Sequence, residues 1–214
     1  MIVLGVLLAA VGGFFAYEYD SSYGVQSKSA AKTPLAGDAV RILFVPQLEI
    51  GVPIVDGTSK TVARRLGHLL QAHGFQQVDV RAAYTPKGIA AAKTNEQRLR
   101  KLGAFAGTAS SWPRLEDARA DSVAQGANRI ELTVVSYVEK ARSPLLVSEQ
   151  LKIEVWSGSG NKIWEANANY AVKSLDLKYL FGPPQPTEGE PVSKVGFLAD
   201  KILAQMLEEG VIRA

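Results

Sequence analysis

The sequence predicts an α+β fold: a mixed β-sheet, with elements in the order β-α-β-α-β-β-β-α, packed with helices and preceded by an N-terminal apolar helix. Three observations lead there. Val40–Val45 is a nearly continuous apolar run closed by Pro46, the pattern of a strand covered on both faces. Residues 58–73 then repeat their apolar positions at helical spacing. From residue 130 onward the period changes from helical to two, over three successive stretches.

The elements follow in order. After the first strand, a loop carrying Gly51, Pro53 and Gly57 leads to Thr58 or Ser59, either of which can cap a helix. Val62, Leu66, Leu69, Leu70 and His73 give that helix its recurring face, and Gly74 ends it. Residues 75–82 place Val78 and Val80 on one face of a strand, so strand, helix and strand should form a right-handed parallel unit. Residues 84–113 read as an insertion with a surface helix near 89–102. Leu115–Gln125 is a second helix, with Glu116 and Asp117 in its first turn and Gly126 as its stop.

Ile130, Leu132, Val134 and Val138 alternate with polar residues, as do Leu151, Ile153 and Val155, and then Trp164, Ala166, Ala168, Tyr170 and Val172. Three strands with one wet face are expected. The stretch Ser157-Gly158-Ser159-Gly160-Asn161 should turn the last two into a hairpin. A proline-rich loop at 182–186 leads to Pro191, and Val192, Val195, Leu198, Ile202, Met206 and Leu207 form the stripe of a closing helix stopped by Gly210.

Three units are expected along the chain: 1–17 as a transmembrane anchor or signal peptide, 18–38 as a flexible tether, and 39–214 as a single α+β domain. Met1–Tyr17 is uncharged and almost wholly apolar, just long enough to span a bilayer. A cleaved signal peptide with a small-residue site near Ala10-Val11-Gly12 fits the same stretch, as does a buried soluble helix. Ser, Ala, Gly and Lys dominate 21–38, the composition of a linker. With an anchor, the domain is placed in the periplasm of a bacterium; with cleavage, it is periplasmic or secreted.

The 214 residues carry a formal net charge of +3, with basic residues interspersed among acids, so nucleic-acid binding is not expected. Absence of cysteine removes disulfides, thiolate metal sites, cysteine nucleophiles and the acceptor of a bacterial lipoprotein's lipid. His68 and His73 stand five apart on a helix and cannot meet at one metal ion. Near Gly57, the phosphate-loop spacing fails, because Thr58 and Ser59 intervene before Lys60. No G-x-S-x-G elbow occurs. The expectation is therefore a chain without catalytic residues, metal or cofactor.

Two segments carry a resemblance. One is Ala124-Gln125-Gly126-Ala127-Asn128-Arg129-Ile130-Glu131-Leu132; the other is Leu151-Lys152-Ile153-Glu154-Val155-Trp156, followed by Gly160-Asn161-Lys162-Ile163-Trp164-Glu165-Ala166. With the element order, over about 40–210, they resemble the CsgG-like and TolB N-terminal-like group of bacterial envelope proteins. That resemblance implies an envelope location and no shared active site.

The expected function is a non-catalytic, membrane-tethered accessory or assembly subunit of the cell envelope, held by residues 2–17, that binds an envelope protein or self-associates. A periplasmic small-molecule or glycan-binding module is the alternative. Tyr179, Leu180 and Phe181, ahead of the proline stretch, are the first interaction candidates, joined by Trp156 and Trp164 flanking the hairpin.

Overall fold

A computed structural model describes residues 22–29, 34–35, 37–46, 48–49, 52–53, 57–103, 109–139, 146–173 and 196–213. The expected N-terminal apolar helix and the interaction candidates Tyr179, Leu180 and Phe181 lie outside them. Among the described residues, no helix is long and apolar enough to cross a membrane.

The elements are β1 (Ser22–Ser29), β2 (Ala39–Val45), the two-residue strands β3 (Leu48–Glu49) and β4 (Val52–Pro53), α1 (Thr58–Ala72), β5 (Gln77–Ala82), α2 (Pro86–Lys101), a 3-10 turn (Ala109–Ser111), α3 (Leu115–Ala124), β6 (Asn128–Glu139), β7 (Leu146–Trp156), β8 (Lys162–Lys173) and α4 (Gly196–Glu208). Six strands form one mixed sheet in the order β1-β8-β7-β6-β2-β5. The α+β class and the mixed sheet are as predicted. β2 runs parallel to both β5 and β6, whereas β6, β7, β8 and β1 are antiparallel neighbours.

β2 owes its apolar run to burial on both sides. Val40, Ile42 and Phe44 join the main core with Val62, Leu66 and Leu70 of α1 and Leu198, Ile202 and Met206 of α4. Leu43 points the other way, into a smaller cluster with Ala83 and Leu115 at the start of α3. Each large apolar side chain buried here contributes about 1.5–3 kcal/mol by removal from water. An ion pair from Arg65 of α1 to Asp200 of α4, 3.0 Å, links the two core helices at their surface.

The helix ends differ in detail from expectation. α1 starts after extended Gly57 without any side-chain cap. Ser59 is fully buried, and its hydroxyl donates to the Val45 carbonyl at 2.9 Å, tying the helix to the end of β2. Thr85 caps α2 by accepting from the Gly88 amide, with Pro86 in the first turn. Gly74 and Gly126 close α1 and α3 at φ 98° and 62°, values that cost other residues a Cβ clash.

Ser22–Ser29, within the stretch expected to be a tether, is a strand. It pairs antiparallel with β8, Ser22 opposite Ala171 and Ser27 opposite Ala166, with an irregularity between Ser27 and Ser29. The ordering comes from backbone pairing and side-chain tethers rather than from apolar periodicity: the Ser27 hydroxyl bonds to Glu209 at 2.5 Å, and Val25 packs against the core.

Candidate interaction surface

The two hairpin tryptophans part company. The turn between β7 and β8 is closed by the Ser157 amide donating to the Asn161 carbonyl at 2.8 Å, with Gly160 at φ 83°. Trp164 lies opposite Val155 and points into the core, fully buried, its indole Nε1 donating to Glu209 Oε2 at 2.8 Å. Trp156 lies opposite Lys162 and sits half-buried on the other face. The Arg129 guanidinium is 4.8 Å from its ring centroid and the Lys162 ammonium 5.9 Å. A joint aromatic surface from these two residues is excluded by strand alternation: Trp164 shares its face with its partner Val155, and Trp156, the next residue along β7, points to the other.

Trp156 belongs instead to a band of charge that crosses the sheet. Arg129 and Glu131 of β6 are buried, with side chains 5% and 2% exposed. Arg129 Nε lies 2.6 Å from Glu131 Oε1, and Arg119 of α3 grips both carboxylate oxygens at 2.8 and 2.6 Å. Burial lowers the Arg129 guanidinium pKa against the opposing pull of Glu131; the hydrogen bonds that Arg119 donates to Glu131 raise that of Arg119. The wet face expected of this strand is therefore covered at Glu131. Helix α3 lies over it, which its alternating pattern does not reveal.

In the register, Glu131, Glu154 and Glu165 stand directly opposite one another on three neighbouring strands. Like charges so placed repel. Cations intervene: Lys152 reaches Glu154 at 3.0 Å, and Lys162 reaches Glu165 at 2.5 Å and Glu154 at 3.3 Å. The Lys162 hydrogen bond is the main reason that the Glu165 carboxyl is held below its ordinary range.

At the other side of the sheet, Arg41 of β2 is buried and spans three partners: Asp79 at 3.3 Å, Ser122 at 3.3 Å and Gln125 at 2.8 Å. Arg81 also reaches Asp79, at 2.6 Å. Two guanidiniums thus share one carboxylate at the edge strand β5. Beside them an open groove of about 550 Å³ is lined by Arg41, Arg81, Trp112, Arg114, Asp117 and Asp121. Trp112 is braced by Tyr84, ring centroids 4.4 Å apart, and burial raises the Tyr84 phenol pKa.

The backbone of β5 has two distinct sides. Gln77 donates to the Asp38 carbonyl and Ala83 to the Phe44 carbonyl, so 77, 79, 81 and 83 turn their peptide groups toward β2. The even residues face outward. Tyr84 is met there by the parallel segment around Arg114, through bonds from the Tyr84 amide to the Pro113 carbonyl and from the Leu115 amide to the Tyr84 carbonyl. Among the described residues, no strand pairs with Val78, Val80 and Ala82 on that side.

Arg41, Asp79 and Arg81 were missed as site candidates because each alternates with apolar residues in a strand and so reads as ordinary patterning. The one available signal was Arg41 inside an otherwise apolar run.

No family model matches the chain, and no curated protein matches it at a significant level. Among solved structures, a PelC dodecamer from Paraburkholderia phytofirmans is similar at 12% identity and a TM-score of 0.42, covering 90% of this chain and 100% of that one. A point-variant PelC dodecamer from the same organism is similar at 13% identity and a TM-score of 0.44, with the same coverage.

Proposed function

We propose that the chain is a non-catalytic accessory or assembly subunit of the bacterial cell envelope, tethered to the membrane by residues 2–17, with its α+β domain in the periplasm and acting through protein–protein contact. The observation that carries this reading is the outer side of β5, with which no strand pairs among the described residues. An unpaired strand edge offers a row of backbone donors and acceptors to an extended segment of another chain. The titratable groups beside that edge are engaged with one another, Asp79 with Arg41 and Arg81.

The test is expression of the full chain with a C-terminal tag in a Gram-negative host. The expected result is an intact mass that retains residues 1–17, recovery with the membranes, and protease digestion of the domain only after the outer membrane is opened. A cleaved, soluble, solitary monomer would overturn the reading.

The second reading, a periplasmic small-molecule or glycan-binding module, is favoured by one observation. The groove beside Trp112 is concave and lined by three guanidiniums and two carboxylates, which suits a polar ligand. A thermal-shift screen of envelope metabolites and oligosaccharides against the full chain tests it; a flat response removes it.

A further inference from the structure

We infer that two copies of this chain pair antiparallel through the outer edges of β5, joining their sheets into one. The inference rests on the reading of the chain as an interaction subunit and names a second copy as the occupant of that edge.

The argument is one of register. The outward-facing peptide groups are those of Val78, Val80 and Ala82. In an antiparallel pair, residues that face each other directly exchange both hydrogen bonds only where both turn their peptide groups toward the partner. A two-fold axis at Val80 meets that condition throughout: Val80 faces Val80 of the second copy, and Val78 faces Ala82. The intervening pair then brings Asp79 opposite Arg81, and by symmetry Arg81 opposite Asp79. Opposite charges two residues apart on one strand are complementary to themselves when the strand is reversed.

The charges already present favour this occupant. Arg41 and Arg81 both reach the single carboxylate of Asp79, so that carboxylate keeps Arg41 as a partner when Arg81 turns to the second copy. Arg81, with its side chain 57% exposed, is free to swing toward a second Asp79. The opposite face brings half-buried Val80 onto its symmetry mate, extending the apolar layer over α1. The chain also ends the pairing in the right place. At Gln76 it bends out of the strand, and the position beside Tyr84 that an incoming residue 76 would need is already held by Arg114. The other edge of the sheet lacks this match: β1 has a register irregularity between Ser27 and Ser29 and carries Lys28, features that blunt an edge.

The experiment uses the full chain in detergent micelles, where sedimentation velocity reads the monomer–dimer equilibrium. Because the protein has no cysteine, a single introduced thiol reports one distance. Val80→Cys lies on the axis, at the roughly 5.5 Å Cα separation of a hydrogen-bonded antiparallel pair, within disulfide range. Val78→Cys lies about four residues from its own mate and is out of range. The expected result is a dimer in which Val80→Cys cross-links under mild oxidation and Val78→Cys does not. Arg81→Glu should weaken the dimer roughly tenfold or more while leaving the circular dichroism of the folded chain unchanged, since two favourable pairs become repulsive.

A monomer at all accessible concentrations overturns the pairing, as does a dimer in which the two cysteine variants cross-link equally or Arg81→Glu changes nothing. Failure of the dimer in a chain that stays intact and membrane-bound removes only the self-pairing. Loss of residues 1–17 from a chain that still dimerises removes only the tethered reading.

Discussion

Trp164 on β8 donates its indole hydrogen to Glu209 just beyond α4, across 2.8 Å, so a fully buried aromatic anchors a half-buried carboxylate. Glu209 also accepts from Ser27 of β1 at 2.5 Å and from Gln205 at 2.6 Å. Burial pushes its carboxyl pKa up, but these three donors outweigh burial and hold it below the ordinary 4.5. A depressed folded value means that ionised Glu209 stabilises the fold at neutral pH, and that this stabilisation is lost as pH falls below about 4.5 toward the folded value. Trp164→Phe removes one donor and a part of the packed ring. It should cost about 1–3 kcal/mol at pH 7, and its denaturant midpoint should fall less between pH 5 and pH 3 than that of the unsubstituted chain. An equal acid sensitivity in both proteins would show that the indole bond does not act on Glu209.

The buried triad of Arg119, Arg129 and Glu131 predicts an asymmetry. Glu131→Ala leaves the Arg129 guanidinium, 5% exposed, without its carboxylate, and should cost about 3–5 kcal/mol. Arg119 is 40% exposed, and its loss leaves Arg129 still paired with Glu131. Arg119→Ala should cost only about 1 kcal/mol. Urea unfolding of the two variants measures the difference, and equal costs would place the main support of the pair elsewhere.

Two glycines make a steric prediction. A Cβ on Gly158 would stand 2.2 Å from the Gly126 carbonyl oxygen, a backbone atom that cannot swing aside, and the Gly158 amide is held by Asn128 Oδ1 at 3.1 Å. Gly158→Ala should destabilise by about 1–3 kcal/mol by prising the hairpin from the end of α3. On Gly24, an added Cβ meets nothing within 4 Å, so Gly24→Ala should stay within about 0.5 kcal/mol. Thermal unfolding of both variants decides the comparison.

The β1 strand is testable without mutation. Amides of 22–29 that face β8 should exchange with solvent slowly, over minutes to hours, as paired backbone does. Complete exchange within seconds, read by mass spectrometry of the peptic fragment, would return this stretch to a tether.

Most of the fold was legible because the signals were periodic. The doubly buried β2, the alternation of β6, β7 and β8, and the glycine stops at Gly74, Gly126 and Gly210 each state a local requirement in local sequence. β1 was not legible. Ser, Gly, Gln and Lys leave no apolar rhythm, and its order comes from β8 and Glu209, partners far along the chain. The same reason hid the charged band: Arg41, Arg129 and Glu131 look like solvent-facing positions until α3 is placed over them. Trp156 and Trp164 looked equivalent in sequence, and only the hairpin's register separates a core ring from one capped by cations.

The antiparallel pairing of β1 with β8 also sets how the domain bears a mechanical load. Ser22 sits beside Ala171 near the end of β8, at the same pole of the sheet where β7 begins and β6 ends. Tension arriving through the chain at Ser22 along the strand axis pulls β1 lengthwise past β8. That is shear, which stresses the whole row of backbone bonds at once instead of opening them one by one like a zip. The Ser27 bond to Glu209 then acts as a rivet at the inner end, passing strain from the edge strand to the turn after α4.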